Sequence, residues 1–516
     1  MRALLLLIFC PLILRGQPTI ETRPTRLFAE LGGFYSTSGH TPFWLRANQF
    51  GIVPGKAPYA TMRVGIRQDY RYYPVSDSAP SRRADLFGWG YGVEAVGNVG
   101  PAGQTQVILP EIYVRAKFSI FEVMGGRRRE IAGLVDSTLS SGSYSWSGNS
   151  LPVPKIQISL PDYTPIGFTK GILSFRGNFA HGWFEGDRFV RNSYLHQKSL
   201  YGRLGKPNWP IKLYGGFNHQ VMWGGRTDQL TEGLAKNGRL PSRLQDFAYV
   251  VVGNSLGRIL NVDTTRYSTF DRENRVGNHL GTLDLGMEIS TKKFSILLYR
   301  QSLYEDGSLF YFTNFDSGLQ GLNYQKMKPA LEDGLNGIRY RNLNPARTGF
   351  RITGAALEFL FTKSQGGGTF NGAVRGRDNY FNHAQFRDGW SYLGRGIGTP
   401  FITPLTEVRQ GLSSYGYFAN NRVRVYHAGI QGAFAKNCVF RAKFSYSENY
   451  GTYDQPFPKM MPQFSSMVSF EIPVEPSGYL ITVSAAADQG DLLPRSQAVF
   501  AGVRKTWDFY KYRVRQ

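Results

Sequence analysis

Cysteine is almost missing from this chain. Among 516 residues there are two, Cys10 and Cys438, so if the N-terminal segment is removed a single thiol remains and no internal disulfide can form. Histidine is also scarce. The seven (His40, His181, His196, His219, His279, His383 and His427) never fall at a metal-ligand spacing such as HxxxH, so no metal site and no metal cofactor are expected. The glycine triplet 366–368 is not followed by Lys-Ser/Thr and is no phosphate loop, and Ser141-Gly142-Ser143 lacks the flanks of a nucleophile elbow. Asp228, Asp246, His219 or His383 could serve a barrel hydrolase on paper, but nothing selects them, so no catalytic residue is assigned and no enzyme is expected. Pro/Ser-rich linkers, charge blocks and composition shifts are absent as well, which argues against several soluble domains strung together.

Long apolar runs are confined to the start. Arg2 precedes an apolar stretch from Leu4 to Leu14, and Gly16 stands before Gln17. This is the pattern of a secretory signal covering residues 1–16, too short for a spanning helix. Cys10 leaves a lipoprotein signal open, although bulky Ile8 and Phe9 stand where small residues are wanted. Beyond residue 17 no window approaches the ~20 consecutive apolar residues of a membrane helix, and mean hydropathy is negative. That profile fits a soluble protein. It fits a transmembrane β-barrel equally, because lipid-facing and lumen-facing residues alternate and cancel in any average.

The alternation decides between them. In Thr61–Tyr72, Met62, Val64, Ile66, Tyr70 and Tyr72 share one face, and Arg63, Arg67 and Arg71 lie on the other. The same rhythm places Arg115 and Lys117 opposite Val114, Ala116 and Phe118. These five cations are expected to line a wet lumen, where charges can pair. Similar runs recur at 87–95, 282–289, 440–447 and 479–488. Further candidates lie at 27–36, 171–179, 211–218, 294–301, 350–362, 422–434 and 498–509. One strand and connection per ~25–32 residues gives roughly 16–18 strands in an all-β antiparallel barrel spanning residues 17–516. Short connections such as Thr291-Lys292-Lys293 fit periplasmic turns. Connections 130–155, 220–280, 313–348 and 376–420 are rich in Gly, Asn and aromatics and fit extracellular or inward-folded loops, often functional at such length. Aromatics make up 14% of the chain, enough for interfacial girdles.

Acidic residues are few: 37 against 60 Lys and Arg, a net charge of +23. The bases are dispersed through alternating strands, which disfavours nucleic acid and favours anionic glycans, lipopolysaccharide or outer-membrane lipid as partners.

The long connections carry a family resemblance. Thr41–Gln49 (TPFWLRANQ), Ser140–Ser143 with Ser147–Asn149, Pro152–Gln157 (PVPKIQ), His181–Phe184 (HGWF), Gly215–Gly225 (GGFNHQVMWGG), Asp378–His383 (DNYFNH), Gly389–Tyr392 (GWSY), Ile397–Pro400 (IGTP), Asn420–Val423 (NNRV) and Tyr446–Tyr453 (YSENYGTY) follow one another in order. Together they resemble the Wzi-type capsule-assembly family of outer-membrane proteins across nearly the whole chain. The resemblance implies 18 strands and a surface lectin that holds exported capsular polysaccharide without forming its export channel. Two features depart from it: strand-like alternation starts at Leu27 with no helical bundle before it, and Gly224-Gly225 lacks a proline after Trp223. Sugar recognition needs flat aromatic faces with Asn, Asp and Arg at the rim. Segments 219–226 and 378–395 offer them as His219, Trp223, Arg226, Asp378, Asn379, Tyr380, Asn382, His383, Trp390, Tyr392 and Arg395. The alternative reading is a porin or substrate channel for anionic solutes, motivated by the arginines of 61–72.

N-terminal sequencing of the protein extracted from outer membranes is expected to begin at Gln17; a chain that retains Met1 would overturn the leader assignment.

Overall fold

The computed structural model describes residues 25–70, 87–101, 105–253, 256, 263–305, 332–344, 349–368, 377–434 and 438–509. Eighteen antiparallel strands form one closed sheet. In chain order they are β1 Thr25–Ser36, β2 Tyr59–Gln68, β3 Phe87–Val99, β4 Thr105–Phe118, β5 Phe121–Arg127, β6 Lys155–Pro165, β7 Leu173–Trp183, β8 Tyr194–Leu204 and β9 Ile211–Trp223. They continue as β10 Asn278–Ser290, β11 Phe294–Glu305, β12 Gly334–Asn342, β13 Arg351–Phe361, β14 Val423–Phe434, β15 Cys438–Gly451, β16 Pro456–Val474, β17 Tyr479–Gly490 and β18 Ser496–Phe509. Each strand pairs with its chain neighbours, and β1 closes on β18 in register from Thr25↔Phe509 to Ser36↔Ala498. Closure leaves no unpaired edge, which a strand structure in hydrocarbon requires.

The alternation read from the sequence sets the two faces. On β2, Met62 and Val64 are exposed outward while Arg63 turns in, and on β18 Val499, Val503, Trp507 and Phe509 are exposed. Exposed Phe118, Phe121, Phe168, Trp209, Phe350, Trp507 and Phe509 collect at the end that carries the tight turns, as an aromatic girdle at a membrane interface. The first and last strand ends, Thr25 and Phe509, lie there too. The opposite end bears the connections 37–58, 128–154, 224–277, 306–333 and 362–422. Short turns mark the periplasmic side of such barrels and long loops the extracellular side.

Five strands escape the alternation pattern: β5, β6, β8, β12 and β16. The stretch 313–348, expected to be one connection, contains β12 at Gly334–Asn342. Its outward face is Gly334, Asn336, Ile338 and Tyr340, too polar to show as an apolar row, and Arg300 of β11 bonds Asn336 at 2.7 Å on that same outer wall. The leader 1–16 and Arg71 lie outside the described residues.

Helices are few. α1 (Phe43–Arg46) sits inside the barrel, where its Phe43 and Trp44 join a cluster with Phe401 and Leu360. α2 (Leu244–Val252) belongs to the 224–277 connection and packs on the outer wall of β7–β9. Its Phe247 meets Phe179, His181, His196 and Trp223 edge-on or tilted. α3 (Thr269–Glu273) starts with a capping box in which Ser268 and Asp271 satisfy each other's backbone N–H.

Candidate functional site

The 128–154 connection contains the run SSGSYSWSGNS, almost free of aliphatic residues. Such a segment has little apolar surface to bury and many hydroxyls and backbone groups to satisfy. Inside a polar lumen it finds partners, and residues 139–153 are all buried there. Leu134 N donates to Asp284 of β10 at 2.8 Å, and Ser141 N to Glu358 of β13 at 2.5 Å. Tyr144 N donates to Gln301 of β11 at 3.0 Å, its hydroxyl to Glu305 at 2.8 Å, and Ser145 Oγ to Asn218 of β9 at 2.5 Å. Lys443 of β15 reaches the Ser140 carbonyl at 3.2 Å. A loop rooted between β5 and β6 thus crosses to β9–β15 on the far wall. Gly429 of β14 allows the close approach: a Cβ there would stand 2.4 Å from the Leu139 carbonyl oxygen.

Two further connections lock onto it. Ser147 Oγ donates to Gly398 O at 2.6 Å and Asn149 Nδ2 to Gly396 O at 3.0 Å, tying it to 362–422. Asn48 N donates to Asn149 Oδ1 at 3.2 Å, tying it to 37–58. Glu407 receives Arg395 at 2.9 Å and also Arg46, so one carboxylate clasps the 37–58 and 362–422 connections. Burial pushes the Glu407 carboxyl up, but Arg46 and Arg395 outweigh it and hold it below its ordinary value.

The lumen arginines meet carboxylates. Arg63 pairs with Glu30 at 3.3 Å and Glu94 at 2.9 Å, and Arg129 joins Glu94 at 2.7 Å. Arg115 pairs with Asp69 and with Glu122 at 3.4 Å, Arg128 with Glu122 at 3.0 Å, and Arg67 with Asp69 at 3.0 Å. Lys117 is half-buried on β4. Paired cations hold their counter-charges on the wall, so the row on β2 and β4 is no bare anion-attracting stripe. A cavity of about 420 Å³ remains beneath the loops, lined by Trp44, Ser140, Arg63, Arg441, Lys443 and Arg504 among others.

The residues singled out for glycan contact separate into two groups. Trp390 and Tyr392 are fully buried, Tyr380 and Trp223 nearly so. Trp390 Nε1 donates to Asn278 at 3.1 Å, Tyr380 OH to Asp333 at 2.8 Å and Tyr392 OH to Glu185 at 3.1 Å. These rings build the closure; their faces are packed against protein. His219 and Trp223 share the outward face of β9 with Leu213 and lie beneath α2, away from the lumen. His219 Nε2 is 2.9 Å from His279 Nδ1, in a row that continues through His196 and His181 on β8 and β7. Arg395 belongs to the Glu407 clasp. Asn379, Asn382, Asp378 and His383 are half-buried at the extracellular side, and Arg226 is exposed. Asn382 is held by Phe418, whose N donates to it at 2.9 Å, and His383 Nδ1 accepts Gln385 N at 3.2 Å. Among the described residues, no group of three or more His, Cys, Asp or Glu is placed to hold a metal ion.

The sequence marks 130–155 as an extracellular or inward-folded connection, but not its partners on the wall, such as Asn218, 73 residues from Ser145, and Glu358, 217 from Ser141. The outward setting of His219 and Trp223 was readable, because both share parity with Leu213 and Phe217.

No protein-family model and no curated protein sequence matches the chain. Among solved structures it is similar to Wzi, an outer-membrane protein involved in group 1 capsule assembly in Escherichia coli and a carbohydrate-binding β-barrel, at 13% identity over 92% of this chain and 83% of that one, with a TM-score of 0.53. Looser likenesses include Acinetobacter baumannii OccAB2, 10% identical over 94% and 98% of the two chains with a TM-score of 0.44. Pseudomonas aeruginosa OccK7 (OpdD) is 8% identical over 95% and 100%, with a TM-score of 0.41. At these identities the likeness concerns the fold. The chain is an integral outer-membrane β-barrel of eighteen strands.

Two outcomes follow from the closure. The intact barrel should carry little steady current in planar bilayers, while Gly429→Val, which drives a side chain into Leu139, should open measurable conductance; equal currents would contradict the plug. Because the Glu407 carboxyl is depressed on folding, its clasp contributes fully above the ordinary value of 4.5 and is lost as pH falls through the lower folded value. Acidification below that point should lower the melting temperature of the native protein more than that of Glu407→Gln, and parallel losses would count against the clasp.

Proposed function

We propose that this barrel is a surface glycan-binding protein that holds an exported polysaccharide at the outer membrane and does not pass it through the lumen. The observation that carries this reading is the interlocked closure of the extracellular end by three connections, 37–58, 128–154 and 362–422. A segment such as 139–153, buried throughout and bonded to β9, β11, β13 and β15, is built to stay. What such a barrel offers the outside is a fixed, polar surface. The carbohydrate-binding Wzi barrel supports the same direction through its fold, and the net charge of +23 suits an acidic polymer.

Within this reading, Arg226, Asp378, Asn379, Asn382 and His383 are the polar contacts at the extracellular side. Trp223, Tyr380, Trp390, Tyr392, His219 and Arg395 act through the scaffold that holds them. A solute channel is the second reading, favoured by the cavity of about 420 Å³ beneath the loops; it requires the plug to move aside. Lipopolysaccharide and outer-leaflet lipid are the surroundings of the rim and further partners of its basic residues.

In a host that makes a surface polysaccharide, clean deletion should shift the polymer from the cell-bound to the medium fraction with total synthesis unchanged. Undiminished cell-bound polymer would refute the proposal.

A further inference from the structure

Above the rim, the β8–β9 ladder does not stop at its last strand pair, Tyr194↔Trp223. It bends at Asn192 (φ 56°), Gly224 (φ 66°) and Gly225 (φ 95°), then resumes in the same register with Arg191 opposite Arg226. The chain returns at 236–240 and places Arg239 opposite Arg226 on the other side. Arg191 and Arg226 exchange both backbone hydrogen bonds at 2.9 Å, whereas Arg226 and Arg239 are bracketed by Thr227 N to Gly238 O at 2.8 Å and Leu240 N to Gly225 O at 3.0 Å. The first is a hydrogen-bonded pair and the second a non-hydrogen-bonded pair, so all three side chains leave the ribbon on one side, with neighbouring Cβ atoms about 4.5–5.5 Å apart.

Like charges directly opposite each other cost stability, and here three stand in a row. All three are exposed. Arg191 meets Asp228 at 3.1 Å, both groups largely in solvent, a pair of small worth. Among the described residues neither Arg226 nor Arg239 has an ion-pair partner within 4.0 Å. Lys236, at the return of the ribbon, adds a further cation beside Glu232 at 3.5 Å. The ribbon keeps this arrangement because its backbone is fixed from below: Val190, Thr227, Ala235 and Leu240 are buried, three of them within the main apolar cluster.

We propose that Arg191, Arg226 and Arg239 form a subsite for successive anionic groups of an acidic polysaccharide. This rests on the glycan-holding reading and gives it a substrate class. Guanidinium forks take carboxylate, sulfate or phosphate oxygens in pairs. A fixed ribbon spares the ligand the cost of ordering the arginines' backbone. A lone monovalent anion satisfies one rung of three; a polymer with repeated charges satisfies the row. The same forks would accept lipid A phosphates, and the test separates the two sources.

Binding of the detergent-purified full chain is measured to polygalacturonate, to neutral dextran and to lipopolysaccharide in nanodiscs. The Arg191→Gln/Arg226→Gln/Arg239→Gln variant should bind polygalacturonate at least about tenfold more weakly, and its salt dependence should flatten by about two units in log–log slope. The corresponding triple Lys variant should recover most of the affinity. The Gln variant should melt no lower than the parent, since repulsion has been relieved. Equal polygalacturonate binding by parent and Gln variant overturns the subsite and leaves the glycan reading intact. So does a parent that binds dextran as well as polygalacturonate, or a Gln variant that loses only the lipopolysaccharide nanodiscs. A parent that binds none of the polysaccharides overturns the glycan reading and the subsite with it.

Discussion

An irregular segment inside a barrel has backbone N–H groups and no ladder in which to pair them. In this protein, carboxylates on the wall strands, and Asp333 just before β12, accept them. Asp284 takes Leu134 N, Glu358 takes Ser141 N, Glu305 takes Phe381 N, Asp488 takes Phe43 N, and Asp333 takes Ser364 N and Gln365 N. Leaving such donors buried and unpaired costs about 1–3 kcal/mol each. A buried carboxylate likewise needs donors to remain on the wall. Loop and wall therefore solve each other's problem, and the closed extracellular end depends on that exchange.

The same economy explains where the aromatic residues went. A loop segment rich in Ser and Gly fits under others only if larger side chains fill the space between them, and Tyr144, Trp146, Tyr380, Phe381, Trp390, Tyr392 and Phe418 do so as one cluster. Rings that looked like sugar platforms are spacers between loops. Polar groups remain half-exposed around them at Asn379, Asn382 and His383, and arginines stand on the ribbon above β8 and β9. Recognition at such a surface falls to hydrogen bonds and charge more than to stacking.

Much of the architecture was legible in the sequence because strand parity is local. Met62, Arg63 and Val64 declare their faces within three residues, and Val499, Ala501 and Val503 keep one face over five. β12 was hidden because Asn336 and Gly334 occupy outward positions, and β5 because seven residues offer too few alternations. The candidate site was less legible for a different reason. The bonds from Ser141 to Glu358 and from Phe43 to Asp488 join residues 217 and 445 positions apart, and no local pattern encodes such partners. His219 and Trp223 were read as a loop mixture although their parity with Leu213 and Phe217 puts them on the outer wall; what covers them there, α2, comes from the following connection.

The crossing of the lumen by 128–154 also orders events in time. Its partners on β9, β10, β11, β13 and β15 all leave the ribosome after it does, and the seam between β1 and β18 joins the first strand to the last. The plug cannot reach its final seat while the wall is a growing, open sheet. It is enclosed as that sheet curls, in the manner of cargo packed before a vessel is sealed. The pairing of β1 with β18 is thus what turns the wall into a vessel around its own contents.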